Sequence, residues 1–173
     1  MPYLFVTTTS LFLCLLVPNL HSQELTPLEL SRLEWTKLTT VPPKESQVGW
    51  GKLVSGELIW NGKPMKMRRS ALGDGFFAHA PSRLVFDLKD KGYTALKGSA
   101  GLEDGFNGSV QFKILGDGKE LWQSDPIVME KGRAKTARYA LDIEGVSELV
   151  LIVDDLGNAT NDHSVWIKPE LGK

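Results

Sequence analysis

Cysteine is nearly absent from this sequence: Cys14 is the only one in 173 residues. It falls within Met1 to Ser22, a stretch with no Lys, Arg, Asp or Glu that carries an apolar run from Leu11 to Val17, a Pro18-Asn19 break and the small Ser22 before Gln23. That pattern predicts a secretory signal peptide over residues 1–22, its apolar centre too short for a membrane-spanning helix, followed by one domain over residues 23–173. Cleavage would leave a mature chain without cysteine, and so without a disulfide framework, a thiolate metal site or a cysteine nucleophile. Such a chain is expected in the periplasm, the cell envelope or the medium, with no integral membrane role, held together by packing alone.

An excess of charge of one sign is also missing. Twenty Lys and Arg face 21 Asp and Glu, a net charge of -1, and the two signs are interspersed, which disfavours nucleic acid or an anionic membrane as a partner. No glycine loop suited to phosphate and no His/Cys cluster suited to zinc occurs. Ser82, His79 and Asp87 supply the residue types of a hydrolase triad but lack a nucleophile elbow. Glu103 or Asp104 could be paired with Asp162 as glycosidase carboxylates, yet nothing in the sequence sets their separation. The expectation is that the domain is not an enzyme on its own.

Long helical periodicity is the third absence, and short strands fill its place. Thr26-Pro27-Leu28-Glu29 has the form of a capping box with Pro at the first helical position, a single turn. The β-favouring Trp35, Thr36, Thr39, Thr40 and Val41 follow and end at Pro42-Pro43. Leu53 to Trp60 and Met65 to Met67 flank Asn61-Gly62, a pair suited to a two-residue hairpin because both positions tolerate positive φ. Gly73-Asp74-Gly75 reads as a turn, and Arg83 to Leu88 alternates so that Leu84, Phe86 and Leu88 share one face. Val110 to Leu115 and Glu120 to Trp122 flank Asp117-Gly118 as a second hairpin, and Ala137 to Ile143 and Leu149 to Val153 add two strands, the last apolar enough to be central. The sum predicts an all-β, antiparallel sandwich or barrel.

The mature chain resembles an NPCBM domain, the "novel putative carbohydrate-binding module", through an ordered set of blocks. These are Leu30 to Trp35, Gly49-Trp50-Gly51, Ala78 to Ser82 with Leu84 to Leu88, Ser99 to Asp104, Gly108 to Phe112, Asp117-Gly118, Leu149 to Leu151 and Asp162 to Trp166. The resemblance implies a galactose-binding-domain-like β-sandwich of jelly-roll type that binds a glycan, galactose-type sugars among them, without cleaving it.

Sugar recognition calls for an apolar platform and a few polar groups aimed at hydroxyls, since a hydroxyl desolvated without a partner costs binding energy. Three expected loops offer both: Phe76, Phe77 and His79 in the first, Glu103, Asp104, Phe106 and Asn107 in the second, and Asp155, Asn158, Asn161, Asp162 and His163 in the third. Adjacent in sequence, Phe76 and Phe77 point in different directions, so one of them, Phe77 by preference, is expected to be exposed as the platform. His79 divides evenly between a buried structural role and a sugar contact, while Asp162 and His163 lean to a structural lock. Trp50, Trp60, Trp122 and Trp166 are expected to pack in the core or at its edges. Asp154, Asp155 and Asp162 are weak candidates for a structural Ca²⁺ site, since calcium prefers carboxylate and carbonyl oxygens. The alternative to glycan binding is a structural or protein-interaction sandwich with a protein partner, because a fold does not dictate its function.

Overall fold

The computed structural model describes residues 24–129 and 135–173. The expected signal peptide, Cys14 included, lies outside the described residues, as do residues 130–134. Thr26 caps a single helical turn, α1 (Pro27–Leu30): its Oγ1 accepts from Glu29 N, and Glu29 Oε2 accepts from Thr26 N at 2.8 Å, the reciprocal pair expected of a capping box. Among the described residues no helix is long and apolar enough to cross a membrane.

The strands follow in chain order. The first are β1 (Trp35–Lys37), β2 (Glu45–Val48) and β3 (Val54–Glu57), then the short pieces β4 (Ile59–Trp60), β5 (Lys63–Pro64), β6 (Lys66–Met67) and β7 (Ser70–Ala71). Next come β8 (Asp74–Phe77), β9 (Ser82–Asp87), β10 (Ala95–Leu102), β11 (Ser109–Gly116) and β12 (Lys119–Gln123). The chain finishes with β13 (Ile127–Val128), β14 (Ala137–Asp142), β15 (Glu148–Asp154) and β16 (Ser164–Gly172). Two antiparallel sheets result. One has the order β14-β10-β16-β8-β3 with β1 also on β16, and the other β12-β11-β15-β9-β2 with β13 on β11. The expected sandwich is present, and β15 lies centrally in the second sheet, as its apolar run suggests.

Alternation decides what fills the space between the sheets. Leu84 and Phe86 from β9, Phe112 and Ile114 from β11, and Leu149 and Leu151 from β15 face Phe76, Ala100, Leu102, Tyr139 and Trp166 of the first sheet in one buried cluster. Trp166 is fully buried, its ring 4.9 Å from that of Phe112 and 5.9 Å from that of Tyr139. Gly98, on β10, makes room for Tyr139: a Cβ there would lie 2.4 Å from the phenol oxygen.

Two local expectations are corrected. Gly73-Asp74-Gly75 is not a turn, because Asp74 to Phe77 forms β8 between β16 and β3. Gly75 serves close approach instead: a Cβ would sit 2.2 Å from the Trp166 carbonyl oxygen. The Asn61-Gly62 turn forms with φ of 49° and 73°, but its arms are only β4 and β5, since Val54–Glu57 pairs with β8. The segment from Leu58 to Leu72 becomes two tiny hairpins folded over the outer face of the first sheet. There Leu58, Met65, Phe77 and Val165 form a second buried cluster beside Val54, Trp60 and Leu72.

This topology positions the site. From β8 to β11, and again from β14 to β16, each strand lies in the opposite sheet from the one before it. Successive crossings therefore alternate between the two ends of the sandwich. The β8–β9, β10–β11 and β15–β16 connections fall at the same end, and antiparallel pairing of β2 with β9 puts the β2–β3 loop there as well.

Candidate functional site

At that end the first sheet's three middle strands run out side by side. Leu102 of β10 is paired with Ser164 of β16, and Val165 with Phe77 of β8. The next residues along each strand therefore stay in register, with Glu103 N donating to His163 O at 2.9 Å and Ala78 N to Ser164 O at 3.1 Å. Glu103, His163 and His79 become neighbours for that reason. The β2–β3 loop leans on the same edge: Gly49 N donates to His79 O at 2.9 Å, and a Cβ on Gly49 would lie 2.3 Å from Ala80 O. Only glycine lets the backbone pass there, and that close passage delivers Trp50.

The side chains then form one aromatic cluster. Trp50 is 56% exposed, with its ring 5.8 Å from His79, 6.3 Å from His163 and 5.8 Å from Trp60. Phe106 stacks on His163 with centroids 3.4 Å apart and planes 12° from parallel. Phe77 lies beneath, 5.3 Å from His163 and 5.1 Å from Trp60. A hollow of about 510 Å³ opens beside this cluster, lined by Trp50, His79, His163, Thr160 and Asn161, with backbone from Gly49, Ala80 and Ala159. A second, of about 630 Å³, opens on the other side, between Trp60, Phe106 and the Asn61–Lys66 hairpin, with Glu103 and Asp104 in its wall. Either is large enough for a saccharide unit.

Hydrogen bonding fixes what the two imidazoles can offer. His79 Nδ1 lies 2.8 Å from Ala80 O, a carbonyl that can only accept, so Nδ1 carries the proton and Nε2 is the acceptor. Burial holds the His79 pKa below the usual imidazole range; the Ala80 contact opposes this and the nearby His163 adds to it. His163 Nδ1 lies 3.0 Å from Glu103 Oε2, so it too donates at Nδ1 and leaves Nε2 as the atom to meet a hydroxyl.

Asp162 stands behind the site. It is fully buried, Oδ1 accepts from Ser109 N at 2.8 Å, and Oδ2 has no partner among the described residues. Burial raises its pKa to about 6; the Ser109 bond pulls the other way and the Asp155 charge adds to the rise. Gly108 must be bare beside it, since a Cβ would lie 2.5 Å from Oδ1. Asp162 thus ties the start of β11 to the β15–β16 connection, while its neighbour His163 borders the hollow.

Several expectations about individual residues are revised. Neither Phe76 nor Phe77 is exposed: both have no solvent contact, Phe76 in the core between the sheets and Phe77 under the Leu58–Leu72 hairpins. They do point to opposite faces, but both faces are covered. Trp50, expected in the core or at its edges, is instead the exposed ring, set between two glycines in a loop. His79, Phe106, Asn161 and His163 do converge, with Glu103 behind His163. Asp104 accepts from Arg68 N and Arg69 N, and Asn107 is exposed and borders neither hollow. Asp155 Oδ1 is engaged by Gly157 N, and Asn158 Oδ1 by Thr160 N, as in ordinary solvated turns.

The weak calcium candidates have protein partners of their own. Asp154 is paired with Lys113 at 3.2 Å and takes Leu156 N, and among the described residues no group of three His, Cys, Asp or Glu could hold a metal. The triad geometry is absent as well: Ser82 Oγ donates to Ala78 O, and Asp87, at the far end of β9, accepts from Lys89 N.

The family model for the NPCBM/NEW2 domain matches residues 34–172 of this chain. The chain belongs to the NPCBM/NEW2 domain family. Among solved structures, this NPCBM/NEW2 domain is similar to the CBM51 module from Clostridium perfringens GH95 in complex with methyl-galactose, at a TM-score of 0.70 and 20% identity, over 80% of this chain and 99% of that one. Tandem CBM51 modules of the family 98 glycoside hydrolase from Streptococcus pneumoniae match at 0.66 and 15% identity, over 82% of this chain and 48% of that one. These likenesses establish the CBM51-type β-sandwich fold. In sequence, the domain is 29% identical over 98 residues to "Alpha-1,3-galactosidase B" of Akkermansia muciniphila. That match takes in 54% of this chain and 12% of the galactosidase.

Proposed function

We propose that this NPCBM/NEW2 domain is a non-catalytic carbohydrate-binding module of an exported protein, and that it holds a galactose-type glycan in the hollow of Trp50, His79 and His163. One observation carries the reading: an exposed indole stands beside two imidazoles whose Nδ1 atoms are already engaged, leaving a flat apolar face next to two Nε2 atoms free to hydrogen-bond ligand hydroxyls. Asn161 and Thr160 add short polar side chains to the same wall. A pyranose has this character, with an apolar face and a polar rim.

The sugar class is supported by the methyl-galactose complex of a structural neighbour and by the galactosidase relative. Export is supported by the charge-free, apolar Met1 to Ser22. The non-catalytic reading is supported by the carbohydrate-binding modules among the structural neighbours and by the engagement of the carboxylates weighed as a glycosidase pair: Glu103 serves His163, Asp104 serves the Arg68–Arg69 backbone, and Asp162 is buried. The role is then to hold an attached or associated enzyme on a polysaccharide or glycoconjugate.

A glycan array probed with the chain, followed by affinity electrophoresis in gels carrying the best ligand, tests the proposal. Retention that disappears in Trp50→Ala while the melting temperature stays put is the expected result. Lack of retention on every glycan, with calcium and without it, would sink the reading.

A further inference from the structure

The second hollow is not explained by a single sugar in the first, and its chemistry differs. Only one layer of rings divides the two, because Trp50 meets Trp60 across it and His163 stacks on Phe106 across it. A saccharide seated against Trp50 would therefore place its next residue at Trp60 and Phe106.

The second hollow is rimmed by cations that form no ion pair among the described residues. Lys63 and Lys66 line it, and the Arg68–Arg69 turn sits on its edge, held there by Asp104, a wall residue, which accepts 2.9 Å and 2.7 Å bonds from the two backbone N–H groups. All four basic residues are exposed. The ion pairs among the described residues involve Lys37, Lys44, Arg83, Lys97, Lys113 and His163, and none of these four. Two carboxylates share the wall, Glu103 bonded to His163 Nδ1 and Asp104 to the turn, so four basic side chains stand against two acidic ones around this hollow.

The turn itself is unusual. Arg68 and Arg69 have φ of 51° and 69°, left-handed backbone at two successive residues, in a two-residue connection between β6 and β7 where Asn-Gly would sit with less strain. Strained backbone that persists beside a binding site points to a use for the side chains it carries. Here those side chains are two guanidinium groups, the groups best shaped to meet sulfate or carboxylate.

The geometry points to a second subsite, formed by Trp60, Phe106, Lys63, Lys66 and the Arg68–Arg69 turn, that takes an acidic saccharide, sulfated or uronic, linked to the sugar held at Trp50. This rests on the proposed glycan binding and narrows it to a charged oligosaccharide.

Titration calorimetry of the whole chain tests it with methyl galactoside, with N-acetyllactosamine, with the same disaccharide sulfated on the primary hydroxyl of its N-acetylglucosamine, and with galactosyl-glucuronate. At about 20 mM salt the acidic disaccharides should bind roughly tenfold tighter than N-acetyllactosamine, an advantage that shrinks several-fold at about 300 mM salt. A gain on the sulfate alone or on the uronate alone supports the subsite and tells which acid it prefers. Joint Lys63→Gln and Lys66→Gln should remove the gain while methyl galactoside affinity and melting temperature hold. Joint Arg68→Asn and Arg69→Gly should reduce the gain without loss of stability, since that pair suits the turn.

Neutral and acidic disaccharides bound equally, or a gain that survives both double variants, would overturn the subsite and leave the glycan reading standing. If none of the four sugars binds, the reading itself fails and the subsite with it.

Discussion

Two aromatic groups in this molecule, each with tryptophan and phenylalanine, behave oppositely. Between the sheets, Trp166, Tyr139 and Phe112 meet edge to face with no solvent contact of consequence. At the loop end, Trp50, Trp60, Phe106 and the two histidines meet just as closely, yet Trp50 keeps more than half its surface in water. The difference lies in what faces each group. Trp166 has a second sheet opposite it, whereas Trp50 borders an open hollow and stays uncovered by the described residues.

That contrast can be broken by substitution, and the largest effect is expected in the core. Trp166→Ala should cost about 3–5 kcal/mol, enough to unfold much of the population, because the emptied space between two rigid sheets cannot collapse. Urea denaturation measures it, and a loss below about 1 kcal/mol would mean that Trp166 is not central to the packing.

Phe77→Ala sharpens the boundary between the two groups. Its ring is fully buried but roofs over no part of the inter-sheet core; it supports Trp60 and His163 from below. A cost of about 2–4 kcal/mol together with weakened glycan binding is expected, where an exposed platform residue would lose binding alone. Denaturation and affinity electrophoresis on the same preparation separate the two outcomes.

Trp50→Ala reverses the core pattern. Glycan affinity should fall by about 2 kcal/mol or more, some thirtyfold, as for other aromatic anchors, with stability changed by about 0.5 kcal/mol. A destabilised but fully binding variant would show that core and rim have been exchanged.

The smallest effect concerns Asp162 and acid. Its folded pKa is raised to about 6, while an unfolded aspartate titrates near ~4. Between those values the folded state binds more protons, so this group's contribution to stability is greatest below about pH 4 and declines as pH climbs to about 6. Asp162→Asn keeps an acceptor for Ser109 N and removes the titration. Wild type minus variant, compared by denaturation at about pH 4 and about pH 7, should show the wild type relatively weaker at the higher pH; a constant difference would refute the raised pKa.

Much of the site was readable as a set of loops but not as an assembly. His79, Phe106, Asn161 and His163 are loop residues of suitable chemistry, and each does reach the cluster. From the sequence Trp50 reads as a packing residue because tryptophan ordinarily packs inside, although Gly49 and Gly51 on either side set it in a loop. Phe77 reads as exposed from the sequence because two adjacent residues point in different directions and one face of the pair would be open. The Leu58–Leu72 hairpins that cover it come from a different part of the chain, and no local pattern announces where they fold.

By itself the sequence determined the local rules: the capping box at Thr26, the turns at Asn61-Gly62 and Asp117-Gly118, and the alternation that gives β9, β11 and β15 their buried faces. These depend on the chirality and size of neighbouring residues, which the chain carries wherever it goes. Tertiary structure alone decided that four connections share one end of the sandwich, that Glu103, His163 and His79 line up across β10, β16 and β8, and that Trp50 overlooks a hollow. Those facts follow from strand order and from which sheet each strand joins, choices settled by the sum of distant contacts rather than by any residue's own preference.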